Sequence, residues 1–316
     1  FTFERHSSIL RAVPFIFHSH KRMRGAPKLL LTCLAVGFLC GCVTSHKPET
    51  PIDPETTKAS EVSRKQQKAA ERAFNNRVKA LTHYAAGLSS QYRNEPAKEL
   101  EHYLESLEAD PSNQSLALSV AGQLLQKLKI DDAIEVLERA SKSKNSAGEI
   151  HARLGVYYRR KNQLEKAAEA SESAIRKSPD KILGYRTLYQ IHSTARRPAE
   201  ALAILKRAAA VRGPDTPFLI QVAGLFTAYL SANPAEVQTE RAGLLDLLNR
   251  IESRRSKRPQ DLERLAQMYE FAGQADKAKT FRQRIVSDQP SNVRSRWNLY
   301  AHHLRNDDVP AAILQL

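Results

Sequence analysis

The residues able to do chemistry in this 316-residue sequence are poorly grouped. Cys33, Cys40 and Cys42 fall within ten positions and no cysteine follows them, which excludes a disulfide framework or a cysteine-ligated zinc site in the rest of the chain. The ten histidines are scattered. His302 and His303 are adjacent, so on a helix they point about 100° apart and cannot hold one metal as an i, i+4 pair would. They read as a solvated face plus one groove residue, and His151 and His192 read as core. The acidic pairs Asp131-Asp132 and Asp307-Asp308 fall where turns between helices are expected, and read as helix caps before a catalytic dyad. No phosphate-cradling Gly-rich loop, nucleophile elbow or His-Glu-x-x-His sequence occurs. No catalytic residue, cofactor or metal is therefore expected, and the chain reads as a non-enzyme.

Clustered cations are the remaining chemical signal. Arg250, Arg254, Arg255, Lys257 and Arg258 place five in nine residues, more than is needed to complement a helix C-terminus. Such a patch suits anionic lipid head groups, polysaccharide or an acidic protein, and the lack of interleaved aromatic residues disfavours nucleic acid. Arg159-Arg160-Lys161 closes another expected helix. The whole chain carries 49 Lys plus Arg against 34 Asp plus Glu, a formal charge of +15. With 41% hydrophobic residues and only 12 glycines, it reads as an ordered helix-rich body; global disorder and collagen-like structure are excluded. The length predicts two domains or one elongated repeat array.

The sequence opens at Phe1, and its only methionines are Met23 and Met268. Residues 1–22 read as upstream translation or a fragment artefact, with Met23 as initiator. Arg24 and Lys28 then precede an apolar run from Leu29 to Leu39, broken only by Thr32 and followed by Cys40-Gly41-Cys42. The order basic, apolar, small is that of a secretory signal peptide over 23–41. The run falls short of the ~20 apolar residues that a membrane-spanning helix needs. Leu39-Cys40-Gly41-Cys42 resembles the lipobox of bacterial lipoproteins. That resemblance implies lipid attachment at Cys42, membrane association through that lipid, and a place in the bacterial envelope. Val43, where Asp would retain some lipoproteins at the inner membrane, points to the outer one. Residues 42–59 hold Pro48, Pro51 and Pro54 among polar residues and read as a flexible tether.

The elements beyond the tether repeat. Leu154, Gly155 and Tyr158 are followed by Ala167, Ala174 and Pro179. Thirty-four positions on stand Leu188, Tyr189, His192, Ala201, Ala208 and Gly213, the last followed by Pro214, and the same step back stand Val120, Ala121, Leu124, Ala133 and Ala140. Gly87, Tyr103, Ser106 and Pro111 make an earlier copy. Leu154 and Tyr158 share a helical face with His151, and Gly155 is expected to face Ala167 and Ala174 so that two helices approach closely. Pro179 stops the second helix. After Pro214 the register slips, and the segment through Ala235, Leu244 and Ile251 predicts an elongated second helix ending before Pro259. Leu262, Leu265, Ala266, Tyr269, Ala278 and Pro290 resume the pattern, then Trp297, Leu299 and Ala312, with the last repeat expected to be truncated.

This pattern resembles the tetratricopeptide repeat. The resemblance implies an all-α, right-handed superhelical solenoid of helix-turn-helix repeats over 60–316, about seven in number. Ala70, Phe74, Val78 and Leu81 continue a helical face upstream, so the first helix is expected to begin near Ser60. It implies a concave groove, lined by first helices, that receives a protein partner. Arg159, Arg160, Arg186 and Gln190 would line that groove, and the three guanidinium groups suit an acidic peptide or helix. The Lys and Asn arrangement by which some such proteins hold a terminal carboxylate is incomplete; Arg186 and Gln190 come nearest. The expected function is a lipid-anchored envelope scaffold. The alternatives are a polysaccharide- or lipid-binding module using the basic patch, or a substrate-recruiting subunit of an envelope enzyme.

Overall fold

A computed structural model describes residues 54–315, with side-chain surroundings from residue 62. The chain divides into units Phe1–Lys58 and Ala59–Leu316. Lipid-site residue Cys42, the signal segment and most of the tether lie outside the described residues. Among the described residues no helix is long and apolar enough to cross a membrane.

The second unit is all α-helical among the described residues, and its helices pair in chain order into seven hairpins. The first is α1 (Pro54–Tyr92) with α2 (Pro96–Ala109), the second α3 (Gln114–Gln126) with α4 (Ile130–Ser141). The third joins α5 (Gly148–Arg160) to α6 (Leu164–Lys177), and the fourth α7 (Ile182–Thr194) to α8 (Pro198–Ala209). The fifth joins α9 (Thr216–Ala232) to α10 (Val237–Glu252) across a 3-10 turn, Pro234–Glu236. The sixth is α11 (Pro259–Phe271) with α12 (Ala275–Asp288), and the last α13 (Val293–Arg305) with α14 (Val309–Ile313). Gln114, Gly148, Ile182 and Thr216 open successive first helices at the constant repeat interval, and Pro259 and Val293 are separated by the same interval. The all-α tetratricopeptide solenoid expected from the repeat is thus the fold observed.

Small residues set the hairpin contacts. Ala133, Ala167 and Ala201, one per second helix at the repeat interval, are essentially inaccessible, and so are Ala140 and Ala208. Gly155 of α5 meets α6 at Ser171 and Ala167; a Cβ there would run into the Ser171 hydroxyl and lie 3.2 Å from the Ala167 carbonyl oxygen. Ala174 is faced instead by Gly148, at the start of α5, and by Gly184 of α7, so three glycines press on one α6 stripe. The expectation that Gly155 faces both alanines is corrected accordingly: Gly148 and Gly155 lie about two helical turns apart, and contact points equally far apart on α6.

Six of the seven turns inside hairpins, all but the 3-10 turn between α9 and α10, hold one residue in the left-handed region. Asn94, Leu128, Asn162 and Arg196 occupy it, one per repeat in equivalent positions, and Gly273 and Asp307 do so later. Asp308 caps α14 by accepting from the Ala311 amide, as expected. Asp131 and Asp132 stand inside the first turn of α4 rather than at its cap, where carboxylates offset the partial positive charge of the helix start. Asp131 also accepts from Lys161 at 2.7 Å.

Two boundaries differ from expectation. α1 opens at Pro54, inside the stretch read as tether, because proline fits the first helical position, where no amide donor is needed. Its Phe74, Val78 and Leu81 are exposed. The slipped register is only partly an elongated second helix: α10 is longer than the 12 to 14 residues of α4, α6 and α8 and ends before Pro259, but α9 and a 3-10 turn take extra residues too. α9 is 17 residues long against 13 for α3, α5 and α7, and α10 has 16. Ala235 sits exposed in the 3-10 turn. The small second-helix position is filled by Leu244, which is fully buried and stands one repeat interval before Ala278. A leucine thus fills the place that alanine takes in the counterparts, so this hairpin closes on a larger side chain.

Candidate functional site

First helices touch their successors: α5 meets α7, α7 meets α9 and α9 meets α11. No successive pair of second helices is packed comparably among the described residues, so the stack curves with its first helices on the inner side. Two glycines of first helices have open space beside them. A Cβ at Gly122 or at Gly224 would meet no atom within 4 Å, in contrast to the packed glycines 148, 155 and 184. Gly122, Val156, Gln190 and Gly224 follow one another at the repeat interval and hold the same place on α3, α5, α7 and α9.

The expected groove residues sit on adjacent first helices. Arg159 and Arg160 form the last turn of α5, while Arg186 and Gln190 belong to α7. Arg160 is exposed and the other three are half-buried. The Arg159 Nε is enclosed without a hydrogen-bond partner. The Arg186 guanidinium donates to the Gln221 side chain of α9 and so ties two first helices together.

The basic cluster does not hold together as one patch. Arg250 donates to the Ala209 carbonyl at 2.5 Å and to that of Val211 at 3.2 Å, satisfying the open C-terminus of α8. Arg139 does the same for α2 through Leu107 and Glu108. α10 ends at Glu252, so Arg254, Arg255, Lys257 and Arg258 belong to the connection to α11, where all four are exposed. Arg255 and Lys257 reach an open pocket of about 560 Å³ between α10 and α12, where Lys277 and Arg284 join them. Its floor includes Ile251, Leu262, Leu265 and Phe281. Glu252 engages Lys277 at 2.9 Å, leaving the rim with an excess of positive charge. Sequence spacing does not find Lys277 and Arg284, because they stand on α12, beyond the whole of α11, and carry no local signal.

The histidines depart most from expectation. His302 and His303 are both buried, so neither belongs to a solvated face. His302 Nδ1 accepts from buried Arg282 at 3.1 Å, and the same guanidinium reaches Glu270 at 2.6 Å. Burial first, then the Arg282 charge, holds the His302 pKa below the usual histidine value. His303 pairs with Asp308 at 3.0 Å. His151 and His192 are half-buried rather than core, His151 meeting the Ser146 hydroxyl at 3.0 Å. Burial, then Lys177 and Arg176, lowers the His151 pKa.

No protein-family model matches the sequence, and no curated protein is similar to it. Among solved structures, the chain is similar to PilF of Pseudomonas aeruginosa, at 13% identity over 70% of this chain and 97% of that one, with a TM-score of 0.44. It is similar to a tetratricopeptide repeat protein of Parabacteroides merdae, at 12% identity over 75% and 90%, TM-score 0.43. It is also similar to PilW, a type IV pilus biogenesis factor, at 18% identity over 64% and 90%, TM-score 0.42. These values carry no functional argument. The chain is an all-α tetratricopeptide solenoid on the strength of its own regular hairpin spacing and the small residues at its helix contacts.

Proposed function

We propose that this chain is a lipid-anchored scaffold of the bacterial outer membrane that docks an acidic peptide or helix of a protein partner along its first helices. The observation that supports docking there is the open pair Gly122 and Gly224, in line with Val156 and Gln190. A helix-interior glycine costs about 1 kcal/mol relative to alanine. One that packs against nothing leaves room for the close approach of another backbone. Arg159 and Arg160 supply charge beside that line. The anchor rests on the Leu39 to Cys42 resemblance.

Replacing Arg159 and Arg160 by Glu should leave circular dichroism and melting close to wild type while partner capture is lost, and the capture should weaken with salt. Cys42→Ala should abolish incorporation of labelled fatty acid; equal labelling removes the anchor from the reading. A second reading is favoured by the basic pocket between α10 and α12, whose shape and charge suit an anionic polysaccharide or lipid group. If reversal of Arg254, Arg255, Lys257 and Arg258 removes partners and reversal in the groove does not, this second reading replaces the first.

A further inference from the structure

The first hairpin carries a cluster that neither the groove nor the basic pocket uses. His83 lies on α1, and His102 and Glu105 stand at i and i+3 on α2. His83 Nδ1 is 2.8 Å from Glu105 Oε2, and His102 Nδ1 is 3.1 Å from the same oxygen. One ligand atom from each residue can be chosen so that all three lie within 4.8 Å of one another. We propose that His83, His102 and Glu105 bind a zinc ion.

Two imidazole nitrogens and a carboxylate oxygen are the ligand types that zinc takes when it keeps a fourth position open. Zinc bonds of roughly 2.0–2.2 Å in a tetrahedron put ligand atoms ~3.3 Å apart. The two nitrogen-to-oxygen distances therefore need to widen by only a few tenths of an ångström, and a nitrogen of each histidine already lies within 4.8 Å of the other. All three side chains are partly exposed, at 24%, 32% and 41%, which leaves room for entry and for a bound water.

The hairpin also holds the ligands in place. The residue after each ligand makes a contact between α1 and α2. Tyr84, after His83, stacks on Tyr103, after His102, with ring centroids 5.7 Å apart. Ser106, after Glu105, is buried and donates to the Ala80 carbonyl at 2.8 Å. Gly87 lies directly under the Tyr103 ring. The crossing of the helices is thus fixed on both sides of the cluster, and little side-chain freedom is left for the ion to order. Bound zinc would clamp α2 to α1, the long helix whose earlier turns lack a partner among the described residues.

The test uses the untagged full chain, stripped of metal and with its cysteine thiols alkylated. Isothermal titration with zinc should find a site of micromolar affinity or tighter that is lost in His83→Ala/His102→Ala and weakened at least tenfold in Glu105→Gln. Cobalt should give the intense visible absorption of a tetrahedral site in the wild type only, and zinc should raise the wild-type melting temperature but not that of the double variant. Circular dichroism of the metal-free proteins checks that the variants fold. Equal zinc stoichiometry and affinity in wild type and double variant, or no wild-type binding at micromolar zinc, overturns the proposal.

Discussion

Gly155 and Ser171 touch so closely that no side chain fits between them. The Ser171 hydroxyl donates to the Ala167 carbonyl at 2.7 Å, so it is already committed to the contact that a Cβ on Gly155 would displace. Backbone and hydroxyl here leave no slack between α5 and α6, and the other glycines can be judged against this contact.

Gly155→Leu should destabilise by about 1–3 kcal/mol or more through overpacking. Gly122→Ala and Gly224→Ala, which add a methyl group to open space, should each stabilise by up to ~1 kcal/mol through helix propensity. Thermal melts of the three variants decide; a raised midpoint for Gly155→Leu would show that α5 and α6 are not in close contact there.

Leu128 holds a φ of +62° while 90% exposed, so it bears left-handed strain without burying its side chain. Leu128→Gly should therefore stabilise by ~1 kcal/mol, opposite to the usual effect of removing a leucine. Urea denaturation measures it, and a loss of stability means that the turn is not left-handed at this residue.

Arg250 and Arg254 belong to one basic run and should respond differently. Arg250→Ala removes the partners of two carbonyl groups at the end of α8 and should cost about 1–2 kcal/mol. Arg254→Ala, at an exposed site, should stay within about 0.5 kcal/mol of wild type. Equal effects in chemical denaturation would mean that Arg250 is not part of the helix end.

Acid should weaken the fold before the carboxylates titrate. His302 and His151 have folded pKa values below the usual 6.5, so the unfolded chain takes up protons there that the folded chain resists. Around His302 stand Arg282, Glu270, His303 and Arg305, and the burial and the Arg282 charge outweigh the attraction of Glu270. Stability should be full above about pH 6.5 and fall as the pH drops below it. His302→Gln should flatten that fall as the pH is lowered from neutral; an unchanged slope would show that His302 is charged in the fold.

The sequence alone determined the repeat, because a helical hairpin that buries one stripe must place its small and large residues at fixed intervals. Ala133, Ala167 and Ala201 are as legible in the sequence as they are buried in the fold. The break after Pro214 was legible too, but how α9, a 3-10 turn and α10 share the extra residues is a matter of packing that spacing does not show. The chemistry was legible only where neighbours in sequence are neighbours in space. A run of five cations looked like one feature until the fold turned Arg250 to the end of α8 and brought Lys277 and Arg284 to the other side of Arg255 and Lys257. His83 and His102 stand on different helices and become a pair only because α2 folds back on α1 at a crossing fixed by Tyr84 and Tyr103. Helix periodicity is a local property of the chain and can be read from it. The direction of a side chain across a helix contact is set by what the other helix presents, and that is decided only when the two are packed.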